Sequence, residues 1–282
     1  AISPYDPDHS GFTGVSINAV TKSGTNQFHG STYYYYTNDD MQGPDVFGSG
    51  RTLRAKLLQK TYGYTAGGPI IKNHLFFFAN YEKFHREQTA PTPGLTPNAA
   101  VLTTITGAIN AIKTASGKSF DAGTFGGAGV IVTEEEKKLY KVDWNVTKDH
   151  RLSVRYNETI GNLPQFGRYS SFGSFSNAIL SSAIPATSAG TALSSNFYAQ
   201  IRTEKVYAGT LNSQWTPDFK TEFKYAKTSY EQLTTNPVVL PEVRIMGVSG
   251  VNSAGANVTN GYLAWGLEQF RHGNIIRVNT KS

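Results

Sequence analysis

The stretch Lys141-Val142-Asp143-Trp144-Asn145-Val146-Thr147-Lys148-Asp149-His150-Arg151-Leu152-Ser153-Val154-Arg155-Tyr156-Asn157 decides the fold class. In its first arm Val142, Trp144 and Val146 fall on one side, and Lys141, Asp143 and Asn145 on the other. After the polar turn Thr147-Lys148-Asp149-His150, Leu152, Val154 and Tyr156 oppose Arg151, Ser153, Arg155 and Asn157. Successive strand side chains point to opposite faces, so period-two alternation on both sides of a polar turn means a β-hairpin. One face of it is apolar and aromatic, and the other is ionised.

Outward from this hairpin the pattern repeats. A second one runs from Tyr62 to Ile71, turns at Lys72-Asn73 and returns from His74 to Glu82. A third runs from about Phe197 to Trp215, turns at Thr216-Pro217-Asp218-Phe219 and returns from Lys220 to Tyr230. Tyr207, Leu211 and Trp215 share a face of it, as do Phe223 and Tyr225, while Glu222 and Lys224 point the other way. An earlier strand, Phe28 to Thr37, carries Tyr33-Tyr34-Tyr35-Tyr36. The connections between hairpins, residues 38–60, 84–137, 158–196 and 231–261, are long, polar and rich in Gly, Ser and Thr. Tight turns therefore alternate with long loops. Compact soluble domains seldom carry several long structureless loops, whereas transmembrane barrels have short periplasmic turns and long extracellular loops.

The expected fold is all-β: a segment of an antiparallel transmembrane β-barrel, about eight strands long, with long extracellular loops. Trp144, Val146, Leu152, Val154, Tyr156, Leu211, Trp215, Phe223 and Tyr225 are its candidate lipid-facing residues. Asp143, Asn145, Arg155 and Asn157 are expected to face a wet lumen or a plug. A soluble β-sandwich or large adhesin is the competing architecture, but its buried face would be mainly aliphatic. Here the apolar faces are heavy in Tyr, Trp and Phe near strand ends, where membrane interfaces favour amphipathic rings.

Composition agrees. Tyr and Phe number 16 each against 2 Met, and Gly reaches 28, which favours strands and turns over helices. No window supplies the roughly 18–20 uninterrupted apolar residues of a membrane-spanning helix. A mean hydropathy of −0.34 still fits a barrel, whose strands alternate. The formal charge of +6 comes from 26 Lys and Arg that form no basic run or recognition helix, so nucleic acid is not an expected partner. With 0 Cys, thiol nucleophiles, thiolate metal sites and disulfides are excluded. The opening Ala1-Ile2-Ser3-Pro4 is not a signal peptide, which suggests a processed start or a piece of a longer protein.

One long loop contains a helical pattern over 97–116. Thr96 is the expected cap, Pro97 the first helical residue, Val101, Ile105, Ala108 and Ile112 the apolar stripe, and Gly117 the stop. Packing of the loop on itself explains this helix most simply; a docking surface is the alternative. No chemistry-bearing constellation emerges. His9, His29, His74, His85, His150 and His272 show no metal spacing, and no Gly-x-Ser-x-Gly elbow is present. Gly123 to Gly129 lacks the Lys-Ser/Thr ending of a phosphate loop and reads as a mobile loop. Glu134 to Lys138 reads as a solvated approach to a strand, and Asp6, Asp8, Asp39 and Asp40 as solvated carboxylates rather than a calcium site. No cofactor, metal or enzymatic activity is expected.

The segment from Ser10 to Ser31, Ser10-Gly11-Phe12-Thr13-Gly14-Val15-Ser16-Ile17-Asn18-Ala19-Val20-Thr21-Lys22-Ser23-Gly24-Thr25-Asn26-Gln27-Phe28-His29-Gly30-Ser31, resembles the plug-to-barrel junction of TonB-dependent receptors, specifically their Oar-like branch. Gly63 to Glu82, with Gly67-Gly68-Pro69 and Leu75-Phe76-Phe77-Phe78, is similar to the next barrel hairpin of that branch, and Phe270 to Asn274 is a weaker match. The resemblance implies that residues 1–26 end a plug domain and that 27–282 begin a barrel of about 22 strands. Ile17, Asn18, Val20, Thr21, Lys22, Gly24 and Asn26 would form the junction. It further implies energy-coupled uptake driven by a periplasmic TonB-type protein, with outer-membrane lipid around the wall and substrate or a surface lipoprotein at the long loops. The coupling box and most of the plug are absent, and Asn279-Thr280-Lys281-Ser282 is not the aromatic-terminated strand that ends such barrels. These strands are therefore expected to form an open arc. A surface-binding or adhesion barrel without import is the alternative function.

Overall fold

Alternation of β-branched and aromatic residues with polar ones runs through nearly the whole chain, and the strands follow it. The structure, a computed structural model, describes residues 21–41, 56–89, 94–125, 130–165, 190–236, 240–252, 254–267 and 275–281. In chain order the strands are β1 (His29–Asn38), β2 (Leu57–Ile71), β3 (Leu75–Thr89) and β4 (Leu95–Pro97). Helix α1 (Ala99–Ser116) precedes β5 (Val130–Asn145), β6 (His150–Gln165) and β7 (Gly190–Ala192). β8 (Tyr198–Thr216), β9 (Phe219–Thr235), β10 (Val243–Asn252), β11 (Asn257–Trp265) and β12 (Ile275–Lys281) complete the order.

Eight strands form one antiparallel sheet in the order β1-β2-β3-β5-β6-β8-β9-β12. β1 pairs only with β2 and β12 only with β9, so among the described residues the sheet is an open arc, as expected. The three tight turns fall where the sequence puts them, between β2 and β3, β5 and β6, and β8 and β9. In the first, Asn73 adopts φ 65°, a left-handed conformation that Asn tolerates better than most residues. Pro69 lies inside β2 without breaking the ladder toward β1, because β1 begins at His29 opposite Gly67. No helix among the described residues is long and apolar enough to cross a membrane.

Two expectations need correction. The long connections are not structureless. The strands of the large sheet reach 15–19 residues in β2, β3, β5, β6, β8 and β9, well into segments read as loops. Described parts of three connections assemble a second sheet, β4-β10-β11-β7. The helix also starts later than the sequence suggested. Thr96 and Pro97 belong to β4, paired with Val251 and Gly250, and α1 begins after Asn98, which makes no side-chain cap. A missing N–H suits Pro97 to a short edge strand as well as to a first helical turn. Gly117 does end the helix at φ 63°. The buried face is turned relative to the expected stripe: Ile105 and Ile109 are buried, while Ile112 is exposed.

That second unit has its own core. Leu95, Ile105, Ile109, Ala122, Leu193, Val248, Leu263 and Trp265 are buried together, and Phe120 stacks on Trp265 with ring centroids 5.5 Å apart. Its parts come from the β3–β5, β6–β8 and β9–β12 connections. Backbone and hydroxyl groups tie them together. Ser195 Oγ donates to the Ala122 carbonyl at 2.6 Å and accepts from Gly266 N–H at 2.9 Å. Asn196 Nδ2 donates to the Gly266 carbonyl at 3.0 Å. We call this unit the cap.

Candidate functional site

The two faces of the large sheet differ, and the register shows how. On the polar face Lys141, Asp143, Arg155 and Asn157 line up with Glu82 and Lys137. Asp143 is only 2% exposed and lies 3.5 Å from both Lys141 Nζ and Arg151 Nη2. Tyr33 donates to Glu82, and Lys137 lies 3.2 Å from the same carboxylate. Arg155 Nε and Asn157 Oδ1 have no hydrogen-bond partner among the described residues. A recess of about 990 Å³ opens near the tight turns, with Asn145, Arg151, Asn212 and Glu222 in its lining.

The segment before β1 is seated on this polar face. Lys141 Nζ donates to Ser23 Oγ at 2.8 Å. Gly24 lies so close to the wall that a Cβ there would come within 2.3 Å of the Phe77 carbonyl oxygen and 2.8 Å of the Gly68 carbonyl oxygen. Only a residue without a side chain fits. Asn26 Nδ2 donates to Asn73 Oδ1 at 2.6 Å, and Asn73 N–H donates to Asn26 Oδ1 at 2.7 Å. Asn145 Nδ2 in turn donates to the Asn73 carbonyl at 2.9 Å. Three asparagines thus fasten this segment to two neighbouring hairpins.

Of the expected junction residues, Gly24 and Asn26 make these contacts. Thr21 and Lys22 precede them, and Ile17, Asn18 and Val20 lie outside the described residues. Sequence reading missed Ser23, Asn73, Lys141 and Asn145 as a seat. The only available signal was Asn at a tight turn, which explains the turn but not the partner.

The opposite face is apolar near the tight turns and charged farther away. Trp144, Leu152, Val154, Tyr156, Leu211, Phe223 and Tyr225 share it by register, and Trp215 continues it along β8. Val146 is exposed in the turn after β5. Along each of six strands, moving away from the tight turns, one pattern recurs on this face. The apolar run that starts at the tight turn ends in Tyr, and the next position on the face, two residues on, is ionisable: Tyr62 then Lys60, Tyr81 then Lys83, Tyr140 then Lys138, Tyr156 then Glu158, Tyr207 then Lys205, and Tyr225 then Lys227.

This boundary is oblique to the register. The row of Lys60 runs through His85, Glu134, Asn162 and Ile201 to Leu233 on β9, yet the boundary on β9 is Lys227. The offset is 233 − 227 = 6 residues over five strand-to-strand steps, about 1.2 residues per strand. With about 3.3 Å per residue and about 4.8 Å between strands, a level line with that slope corresponds to strands tilted by roughly 40°, inside the range of barrels.

Beyond the boundary the same face carries alternating charges. Lys138 lies 2.6 Å from Glu136 and 3.4 Å from Glu158, and Lys205 is 3.4 Å from Glu158. Of Glu134 to Lys138, read as a solvated strand approach, all five are within β5; Glu134, Glu136 and Lys138 lie on this face, while Glu135 and Lys137 turn to the polar face and pair with each other. Among the described residues no cluster of His, Asp or Glu could hold a metal ion. Asp39 and Asp40 sit in a single 3-10 turn after β1, while Asp6, Asp8, His9 and His272 lie outside the described residues.

Comparison with known proteins agrees with this geometry. The profile described as "Outer membrane beta barrel domain" matches residues 20–125. The TonB-dependent transporter Oar of Myxococcus xanthus is 39% identical over 82 residues, 27% of this chain and 8% of that protein. The chain therefore spans a small part of that relative's length. No solved structure matches. The chain thus carries a match to a bacterial outer-membrane β-barrel domain and is similar over part of its length to an Oar-like TonB-dependent transporter, in keeping with the antiparallel two-faced sheet.

Proposed function

We propose that this chain forms the plug-to-barrel junction and the first eight wall strands of an energy-coupled outer-membrane transporter. In this reading residues 1–26 end the plug and 27–282 open a barrel of about 22 strands. The observation that carries it is the seat of Ser23–Asn26 on the polar face. A chain entering the wall from inside must pass over the lumen side, and Gly24, Lys141 and the three asparagines hold it there. The inward groups of Arg155 and Asn157 would be satisfied by a polar plug.

The apolar face then meets lipid, with the expected Trp, Val, Leu, Tyr and Phe residues on it. The oblique tyrosine line marks the outer interface, where amphipathic rings sit at headgroup level. On β8 the distance from Trp215 to Tyr207 is 8 residues, about 27 Å along the strand and roughly 20 Å across the membrane at this tilt, near the usual height of an outward apolar band. Tight turns lie in the periplasm and the cap lies outside, where substrate or a surface lipoprotein would first touch it. Coupling is to a periplasmic TonB-type protein through the plug.

The cap favours a second reading, a surface-binding barrel without import, because a preformed core makes a stable recognition surface in its own right. Cells carrying the full-length protein distinguish the two. They are given labelled siderophore, glycan and peptide panels with and without a protonophore. Internal label that the protonophore abolishes supports the transporter. Surface-bound label that is never internalised and is indifferent to the protonophore overturns it.

A further inference from the structure

The outer wall has a notch directly under its charged boundary. Gly209 lies on the apolar face of β8, between Val154 of β6 and Tyr225 of β9. A Cβ at this position would meet nothing nearer than the Ser153 carbonyl oxygen at 4.0 Å. The missing side chain opens a shallow apolar groove of about 370 Å³, walled by Tyr140, Val154, Tyr156, Tyr207 and Tyr225. Tyr156 packs against Tyr207 with ring centroids 4.9 Å apart and closes the groove on the side of the charged boundary.

Two residues beyond Tyr140, Tyr207 and Tyr225 stand Lys138, Lys205 and Lys227, and two beyond Tyr156 stands Glu158. Glu136 and Glu158 offset Lys138 and part of Lys205, whereas Lys227 has no ion-pair partner among the described residues. Five of the six boundary residues are lysine and Glu158 is the sixth, so the line carries a net positive charge, and at this site Lys227 is its unpaired cation among the described residues. An apolar slot sized for a hydrocarbon chain with a cation immediately above it is complementary to one kind of molecule. We propose that this groove binds an acyl chain of a phosphorylated outer-leaflet lipid, whose phosphate is met by Lys227 and Lys205.

The proposal rests on the reading that places the charged ends of the strands outside the cell. The test uses full-length protein extracted from the outer membrane, with retained lipid followed by native mass spectrometry. Three probes are titrated: diphosphorylated lipid A, its dephosphorylated form and inorganic phosphate. Wild type should retain one lipid A per chain through detergent exchange. Gly209→Leu fills the slot and should weaken both acylated probes by at least roughly tenfold, since each buried methylene contributes to the affinity. Lys205→Gln combined with Lys227→Gln should weaken lipid A by roughly tenfold or more and leave the dephosphorylated probe unchanged. Unchanged retention in both variants would mean an ordinary lipid annulus and overturn the site. Displacement of lipid A by inorganic phosphate would mean an anion site without a lipid, and overturn it equally. Labelling of a cysteine at Lys227 in intact cells separates the premises. External labelling without retained lipid refutes this site alone, and labelling only from the periplasm refutes the orientation.

Discussion

Arginine placed along β8 should report the membrane boundary residue by residue. Leu211 lies 4 residues from Tyr207, about 13 Å along the strand and roughly 10 Å below the tyrosine line at 40° tilt, close to mid-membrane. Leu211→Arg should therefore cost about 2–4 kcal/mol. Thr203 shares its face but lies beyond Lys205, so Thr203→Arg should cost about 0–1 kcal/mol. Thr210, next to Leu211, points to the polar face opposite Ser153 and Lys224, and Thr210→Arg should be mild as well. The oblique boundary adds a sharper expectation. Tyr64 and Ser229 occupy the same register row, through Tyr81, Lys138, Glu158 and Lys205. Tyr64 lies below the line on β2, whereas Ser229 lies above it on β9. Tyr64→Arg should thus destabilise by about 1–2 kcal/mol and Ser229→Arg hardly at all. The assay is reversible refolding of the full-length protein into bilayers, titrated with denaturant. Equal costs at Tyr64 and Ser229 would remove the tilted boundary, and a cost at Thr210 matching that at Leu211 would remove the two-faced wall.

Other consequences concern the seat and the cap. Gly24→Val cannot keep its approach to Phe77 and Gly68 and should release Ser23 and Asn26, losing hydrogen bonds worth about 2–4 kcal/mol in total; a cysteine at Thr25 should then react faster with a soluble maleimide, and an unchanged rate would contradict the seat. Leu263 is fully buried where the three connections meet, so Leu263→Ala should cost about 2–5 kcal/mol within the cap. Hydrogen exchange should rise together in α1, β7 and β10 while β5 and β6 stay protected; a rise confined to β11 would show that the cap is not one unit.

The sequence displayed the wall clearly because alternation and tight turns are local signals. Val142, Trp144, Leu152 and Val154 declare their shared face within a few residues of each other. The cap was hidden because its core gathers Leu95, Leu193 and Leu263 from three segments far apart in the chain, each too short to show a period. The seat was half visible. Gly24 and Asn26 stood out by resemblance, but Asn73 and Asn145 acquire their role only when register brings two hairpin ends beside the entering chain. Likewise each tyrosine was visible singly, while the line they form with the lysines needs the pairing of six strands.

Opposite sidedness of the two ends of the strands tests the whole account most directly. The chain has 0 Cys, so single cysteines can be introduced without background. One is placed at Asp149, in the turn between β5 and β6, and another at Gly107, on the exposed side of α1 in the cap, where a side chain would meet nothing within 4 Å. In intact cells carrying the full-length protein, an impermeant maleimide should label the cysteine at 107 and leave that at 149 unlabelled until the outer membrane is opened. Labelling of both from outside, or of 149 alone, would contradict a wall that crosses the membrane with its tight turns in the periplasm.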